Sequence, residues 1–583
     1  MAIEAKAGSI LAIDVGTVNT RAVLLDTVGG VHRFIARGEA PTTSGAPWDD
    51  IGEGLRAAIR DIIHTTGRPL LDNLENPIIP ERPDRSGVDS IVASASTGRP
   101  VRAMLVGLVP GVSLESGRRA AEDTYVLIED VISLADGRTR EQQVDAILAL
   151  DPDLIIIVGG TEGGATQAMS EQILTVAMAC LLMVKGNKPR ILFAGNTAVQ
   201  EEVTAQLEEG VGIEVIYAQN VRPSLEREQL DDVRTHLAEL AQGFRVSSSS
   251  GFEELSRWSE TGVVPTAKAY GRLVEFMGKR ADWDVLGIDV GSTSTIVAAS
   301  LGGTFLQRVC SELGIGHGAR GVLQDIEAEQ LTRWLTVALE DERDAINYAW
   351  NKWLYPHTVP QTPDDLELEL ALARETMRAA LRQARPTWPV SLEEESLPRL
   401  GEIVAGGAVL GRAPHPGYSA LAILDALQPV GVVKLWLDSY GVATALGSVA
   451  ELAARAAVEV IESGGLLNLG TAVCTAGSAR RGQVVLKATL TPEGEAAGES
   501  IPVRAGSLVS LPLAPGQPAQ LTLQPRARGT GLSRQDRKLD VIGGVLGVIV
   551  DARGRPLPIP DDAEERRDVM REWRSAFLES QPS

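Results

Sequence analysis

Asp14-Val15-Gly16-Thr17-Val18-Asn19-Thr20 and Asp289-Val290-Gly291-Ser292-Thr293-Ser294-Thr295 share one pattern, D-V-G-[ST]-x-[NS]-T. Each follows a short apolar run (Ile10, Leu11, Ala12, Ile13; Val285, Leu286, Gly287, Ile288) and precedes another (Ala22, Val23, Leu24, Leu25; Ile296, Val297, Ala298, Ala299). Short apolar runs on both sides of a Gly-bearing turn predict a β-hairpin at each place. Gly16 and Gly291 let the backbone approach a ligand. Turn N–H groups, with the side chains of Thr17, Asn19, Thr20, Ser292, Thr293 and Thr295, can donate to phosphate oxygens. Asp14 and Asp289 can hold Mg²⁺ through water and position an attacking water molecule. One D-x-G hairpin by itself is an ordinary tight turn. Two copies in one chain imply two related half-domains closing on one nucleotide from both sides.

The run Glu402-Ile403-Val404-Ala405-Gly406-Gly407-Ala408-Val409-Leu410 reads as a strand entering a Gly-Gly turn, where backbone comes close to a flat ring. In this order, hairpin, hairpin, strand-Gly-Gly, the set resembles the actin, Hsp70 and sugar-kinase superfamily of ATPases. That resemblance implies phosphates on the two loops and adenosine flanked by Gly406 and Gly407. Tyr440-Gly441-Val442-Ala443-Thr444-Ala445-Leu446-Gly447 has small residues at helix spacing. It resembles the superfamily's second connecting helix, which packs closely on its partner.

Further segments sharpen the likeness: Ser94-Ala95-Ser96-Thr97-Gly98, Leu105-Val106-Gly107-Leu108-Val109-Pro110, Gly159-Gly160-Thr161-Glu162-Gly163-Gly164, Phe193-Ala194-Gly195-Asn196, Asn220-Val221-Arg222-Pro223 and Val264-Pro265-Thr266. In content and order they resemble the glutamate mutase L family, which is distinct from the mismatch-repair protein that shares the name MutL. The resemblance covers residues from about 9 to about 450 and implies an ATP-driven accessory protein for an adenosylcobalamin-dependent mutase. Two departures stand out: Arg21 takes a place where many superfamily relatives carry Lys, and the chain runs well beyond the family's usual end. Glu162, a carboxylate on a Gly-flanked loop, is the candidate for orienting or deprotonating the water.

The expected fold is α/β, with two related actin-like (ribonuclease H-like) half-domains forming a nucleotide cleft. The first half spans 1–283 and includes an α/β insert at about 90–235, where strand and helix patterns alternate. Its Gly-Gly-Thr-Glu-Gly-Gly loop falls at the carboxyl end of a strand, the usual ligand side of open α/β sheets. The second half spans 284–450 with a helical insert at about 322–386, where Trp334, Tyr348, Trp350, Trp353 and Tyr355 concentrate. Those aromatics suit either core packing or partner docking. The loop Gly314-Ile315-Gly316-His317-Gly318 lies just downstream of the second phosphate loop. Residues 451–583 read as a linker helix, a β-rich domain and a closing helix with Val569, Met570, Trp573 and Phe577 on one face, suited to docking on a partner or on another copy of the chain.

The 55 basic and 77 acidic residues give a net charge of −22, which disfavours nucleic acid and anionic membranes as partners. Cys180, Cys310 and Cys474 form no C-x-x-C pair, so neither a disulfide framework nor a zinc or iron–sulfur site is expected. Residues 1–9 lack a signal-peptide pattern and no apolar run is long enough to span a bilayer, so the expected place is the cytoplasm. Three functions compete: a slow ATPase acting as accessory protein to a mutase or another protein partner, a small-molecule kinase, and a nucleotide-dependent self-associating scaffold. A protein partner, a small metabolite or pelleting with ATP would tell them apart.

Overall fold

The computed structural model describes residues 8–97, 100–122, 124–183, 188–281, 283–324, 326–388, 397–477, 479–496 and 498–578. Residues 1–7 and Gly98, both used in the reading above, lie outside them. The chain folds into two compact units, one of residues 1–97 with 250–583 and one of residues 98–249.

In the first unit, β1 (Ile10–Val15) and β2 (Asn19–Val28) pair antiparallel, from Ile10 opposite Leu25 to Val15 opposite Thr20. The hairpin predicted around Asp14 is thus present. β3 (Val31–Pro41) extends it, and after α1 (Gly52–Thr66) the strand β4 (Ser90–Ala95) runs parallel to β1. β5 (Val263–Pro265) completes a sheet of order β5-β4-β1-β2-β3 and leads into α2 (Thr266–Ala281). The same plan then repeats. β6 (Val285–Val290) and β7 (Thr295–Leu301) form the second hairpin, and β8 (Thr304–Cys310) extends it. α3 (Pro363–Ala384), β9 (Glu402–Gly406), α4 (Pro416–Leu427), β10 (Gly431–Leu437) and α5 (Ala443–Leu452) follow. The order β8-β7-β6-β9-β10 matches the first sheet strand for strand. Two hairpins with one sequence pattern therefore begin two copies of one topology, an actin-like pair of half-domains. Apolar residues on both faces of the central strands, such as Ile10, Leu11, Leu286 and Ile288, are buried, as strands covered on both sides by helices require.

The small residues of α5 have a steric reason. A Cβ on Gly447 would lie 1.7 Å from the carbonyl oxygen of Ala269 in α2, a backbone atom that cannot swing away. Gly447→Val should cost about 1–3 kcal/mol by forcing the helices apart; chemical denaturation with an unchanged midpoint would refute the close contact.

After α5 the chain adds β11 (Leu467–Cys474), antiparallel to β10, then β12 (Val484–Pro492), β13 (Glu499–Arg504), β14 (Leu508–Leu511), β15 (Pro518–Pro525), β16 (Lys538–Ile542), β17 (Val548–Asp551) and α6 (Ala563–Leu578). β11, β17 and β14 continue the second sheet to eight strands, while β13-β12-β15-β16 form a small sheet of their own. Val569, Met570, Trp573 and Phe577 of α6 are buried, and the Trp573 indole N–H donates to Gly506 O at 2.9 Å. The chain itself covers this apolar face. A buried charge network fastens this region. Arg553 donates to Asp551 (2.8 and 2.9 Å) and to Asp425 of α4 (2.6 Å), and Asp425 also accepts from Arg374 of α3 (2.8 Å).

The second unit is a five-stranded parallel sheet, ordered Val126–Ile132, Val101–Val106, Leu154–Gly159, Arg190–Gly195, Val215–Tyr217. Among the described residues, no helix of either unit is long and apolar enough to cross a membrane.

Candidate functional site

Both predicted loops turn in the same way. Gly16 N–H donates to Asn19 O and Gly291 N–H to Ser294 O, each at 3.0 Å. A Cβ at either glycine would fall 2.6 or 2.7 Å from that same carbonyl oxygen, so the tight turn requires glycine. Each loop is braced from behind. Thr42 Oγ1 donates to Gly16 O (2.7 Å) and Thr17 Oγ1 to Ser96 O (3.3 Å). On the second loop Gly316 and Gly318 N–H groups both donate to Ser292 O (2.9 Å), and the His317 N–H donates to Ser292 Oγ (3.3 Å). The spaced glycines of 314–318 are thus explained. A Cβ on Gly314, Gly316 or Gly318 would lie 2.1–2.4 Å from Ser292 or Thr293 atoms. His317 serves the loop through its backbone; burial, with His357 nearby, lowers its pKa and keeps the ring neutral.

The two loops line one cavity of about 740 Å³. It contains Asp14, Gly16, Thr17, Asn19, Asp289, Gly291, Ser292, Thr293 and Gly407 among its lining residues. Three other expected contacts face elsewhere. Thr20 and Thr295 are fully buried: the Thr20 hydroxyl is paired with Thr42 Oγ1 (2.9 Å), and Thr295 donates to Leu313 O (2.7 Å). Both begin strands, where alternation turns their side chains into the protein, and they fix the loops rather than line the cavity. Gly406 pairs in register with Asp289, and a Cβ there would lie 2.6 Å from Asp289 Oδ1. Its smallness makes room for the aspartate. Gly407, at φ +101°, lets the chain pass Val290 O, which a Cβ would approach to 2.1 Å.

The charges are arranged around Arg21. Asp14 accepts from Ser94 Oγ and Thr266 Oγ1, both at 2.7 Å, which fixes its carboxylate. Burial raises the Asp289 pKa to about 7, Arg21 opposes the rise, and Asp438 and Asp14 add to it. Burial also raises Asp438, although its carboxylate accepts from the N–H groups of Val442 and Ala443 at the start of α5. Arg21 remains charged, since the field of Glu39, Asp14, Asp289 and Asp438 outweighs its burial. Glu39 also pairs with Arg412, which lines the cavity from the second half. Pattern reading had no local signal for Asp438, Glu39 or Arg412. Ser94 and Thr266 fell inside segments noted only for resemblance.

Glu162 belongs to the second unit, on the loop after Leu154–Gly159. Its carboxylate accepts from the Thr197 hydroxyl and N–H and from Asn220 Nδ2 (2.7 Å). Burial would raise its pKa, but these donors outweigh burial and lower it. Asn196 closes the same loop, accepting from Gly163 N–H (3.0 Å) and donating to Gly164 O (2.6 Å).

The residues fit a magnesium-bound polyphosphate. Thr293 Oγ1 is buried and, among the described residues, has no hydrogen-bond partner, so a phosphate oxygen would satisfy it. The two glycine turns leave open backbone beside it, and Asp14 and Asp289, which line the same cavity, are carboxylates that would hold a hydrated cation.

Residues 10–464 match the family described as MutL protein. No curated protein matches the chain significantly. Among solved structures, the chain is similar to acetone carboxylase in its nucleotide-free form, with 11% identity, 85% of this chain and 81% of that one covered, and a TM-score of 0.31. It is similar to a glycerol dehydratase reactivase (13%, 76% and 99%, 0.29). It is also similar to component A of the (R)-2-hydroxyglutaryl-CoA dehydratase of Acidaminococcus fermentans (9%, 77% and 97%, 0.26). With TM-scores this low, the three likenesses carry no argument.

Proposed function

This chain belongs to the MutL protein family, that of glutamate mutase L and not of mismatch repair, and from that premise we propose that it is a slow, cytoplasmic ATPase serving an adenosylcobalamin-dependent mutase. The nucleotide half of this reading is carried by one observation: two loops of the same pattern and the same turn line a single cavity.

In this reading Thr17, Asn19, Ser292 and Thr293 hold the phosphates, Gly16 and Gly291 keep the two turns open enough for them to approach, and Gly407 flanks the adenosine. Bound Mg²⁺ supplies positive charge that offsets the phosphate oxygens. Asp14, fixed by two hydroxyls, and Asp289 hold the water molecules around that ion. Asp289 orients the attacking water and can accept its proton. Arg21 balances the carboxylates and keeps them from repelling the nucleotide. Glu162 is left to brace its own loop, because a carboxylate held below its usual range is a weak base. The two halves close on ATP and reopen after hydrolysis, and that motion acts on the bound partner.

Calorimetry tests the site. Mg²⁺ must displace the proton that Asp289 holds below a pH of about 7. The binding enthalpy of MgATP should therefore depend on the buffer's ionisation heat below that pH and not well above it. Absence of any binding heat removes the nucleotide reading. Turnover should stay slow until a mutase is added; acceleration by a small alcohol or acid instead would make the protein a kinase.

A further inference from the structure

Between residues 526 and 538 the sequence carries five basic residues and one acidic, in a chain whose net charge is −22. The fold gathers these cations at one end of the small sheet β13-β12-β15-β16. There β12 begins at Val484 opposite Arg504, the last residue of β13, β15 ends at Pro525 opposite Leu486, and β16 begins at Lys538 opposite Thr522. The loops at that end lie side by side, since Ala476 N–H donates to Thr530 O (2.9 Å) and Arg526 N–H to Val485 O (2.8 Å). Arg480, Arg528, Arg534, Arg537 and Lys538 stand on them, all exposed, and among the described residues none of these five side chains forms an ion pair. Carboxylates nearby in the chain serve other cations: Asp536 is buried and accepts from Arg399 (2.8 Å), and Glu572 of α6 pairs with Arg481. The opposite end of the same sheet carries exposed Glu493, Glu495 and Glu499 instead.

Four strands about 4.8 Å apart make a sheet end about 14 Å across, the length of about four residues of extended chain. Five cations without counter-ions on so small a surface repel one another until an anion lies among them. Four of the five are arginines, whose planar guanidinium donates to a carboxylate through two parallel N–H bonds. We infer that this end of the sheet docks an acidic peptide segment, a run of Asp and Glu in extended form, of a partner protein. Nucleic acid fits less well, because residues 476–538 contain no Phe, Tyr or Trp on which a base could stack. A long polyanion or an anionic membrane would also overrun the surface and meet the acidic remainder of the chain. The surface lies wholly beyond residue 464, where the family match ends, and does not depend on the nucleotide reading.

The test is binding of a labelled oligoglutamate peptide to the full chain, beside a single-stranded oligonucleotide and phosphatidylserine vesicles, with sedimentation of the chain alone. The peptide should bind, and its affinity should fall as salt is raised. Arg528→Glu combined with Arg534→Glu should weaken it by about tenfold or more, since two attractive contacts become repulsive. Arg528→Gln combined with Arg534→Gln should give a smaller loss. Neither pair should move the unfolding midpoint, because the side chains replaced have no partners within the chain. A wild type that does not bind the peptide, or a glutamate variant that binds it equally well, overturns the inference. Tighter binding of the oligonucleotide or the vesicles overturns it in favour of nucleic acid or a membrane. Self-association of the chain that the same substitutions abolish overturns it too, by making a second copy the occupant.

Discussion

Asp289→Asn lowers single-turnover cleavage of bound ATP by about 10²- to 10⁴-fold, the range for loss of a positioned proton acceptor. Asp14→Asn should have an effect in the same direction, since in the proposed function both carboxylates hold the water around Mg²⁺. The amide has the same shape, so the comparison isolates charge and basicity. The folded state should tolerate it well. A carboxyl whose pKa rises to about 7 on folding destabilises the native state once pH exceeds its unfolded value, and removing that charge lifts the penalty. Thermal unfolding of Asp289→Asn near neutral pH should therefore occur no lower than in the wild type. A folded variant that cleaves ATP at the wild-type rate would sink the assignment of the two-loop cavity as a hydrolytic site.

Arg553→Met is expected to cost about 3–5 kcal/mol of stability, the usual penalty for removing one partner from a buried charge network. Arg553 is 2% exposed and serves two carboxylates, Asp551 at 0% and Asp425 at 1%. Its loss leaves Asp425 with Arg374 alone and Asp551 with Arg555 alone in the core between β17 and α4. The pH dependence follows from Asp551. Burial opposes its ionisation, but Arg553 and Arg555 win and hold its pKa far below the carboxylate range. A depressed folded pKa means that Asp551's contribution is complete above the unfolded carboxylate pKa and is lost as pH falls through the folded one. The Asp551 share of the wild-type urea midpoint should therefore be lost only in acid, and the midpoints of Arg553→Met should be lower throughout. Coincident curves would show that the network is dispensable.

The hairpins were legible because each is local: an apolar run, a glycine turn and a second run lie within about fifteen residues and need no distant partner. The repeated sheet order was implied by the repeated motif. What lay hidden depends on contacts between distant segments. Asp438, Glu39 and Arg412 acquire meaning only when the fold gathers them beside Arg21 or the cavity. Thr20 and Thr295 were read as cavity hydroxyls from their place in the motif, but strand alternation turns both inward. The strand Val126–Ile132 escaped notice because Glu129 and Asp130 interrupt its apolar pattern at the edge of a sheet, where one side is solvated. Likewise the apolar face of α6 is visible in the sequence, but the surface that covers it is not.

The family match ends at residue 464, three positions before β11 begins at Leu467. β11 is the neighbour of β10, and β17 and β14 follow outward from it. A chain cut at the family boundary would leave β10 with a row of unsatisfied N–H and C=O groups along an apolar strand, an open template for another molecule's strand. The segment beyond the family's limit therefore covers an edge that would otherwise be open, and versions shortened to that limit should precipitate rather than fold as a smaller protein.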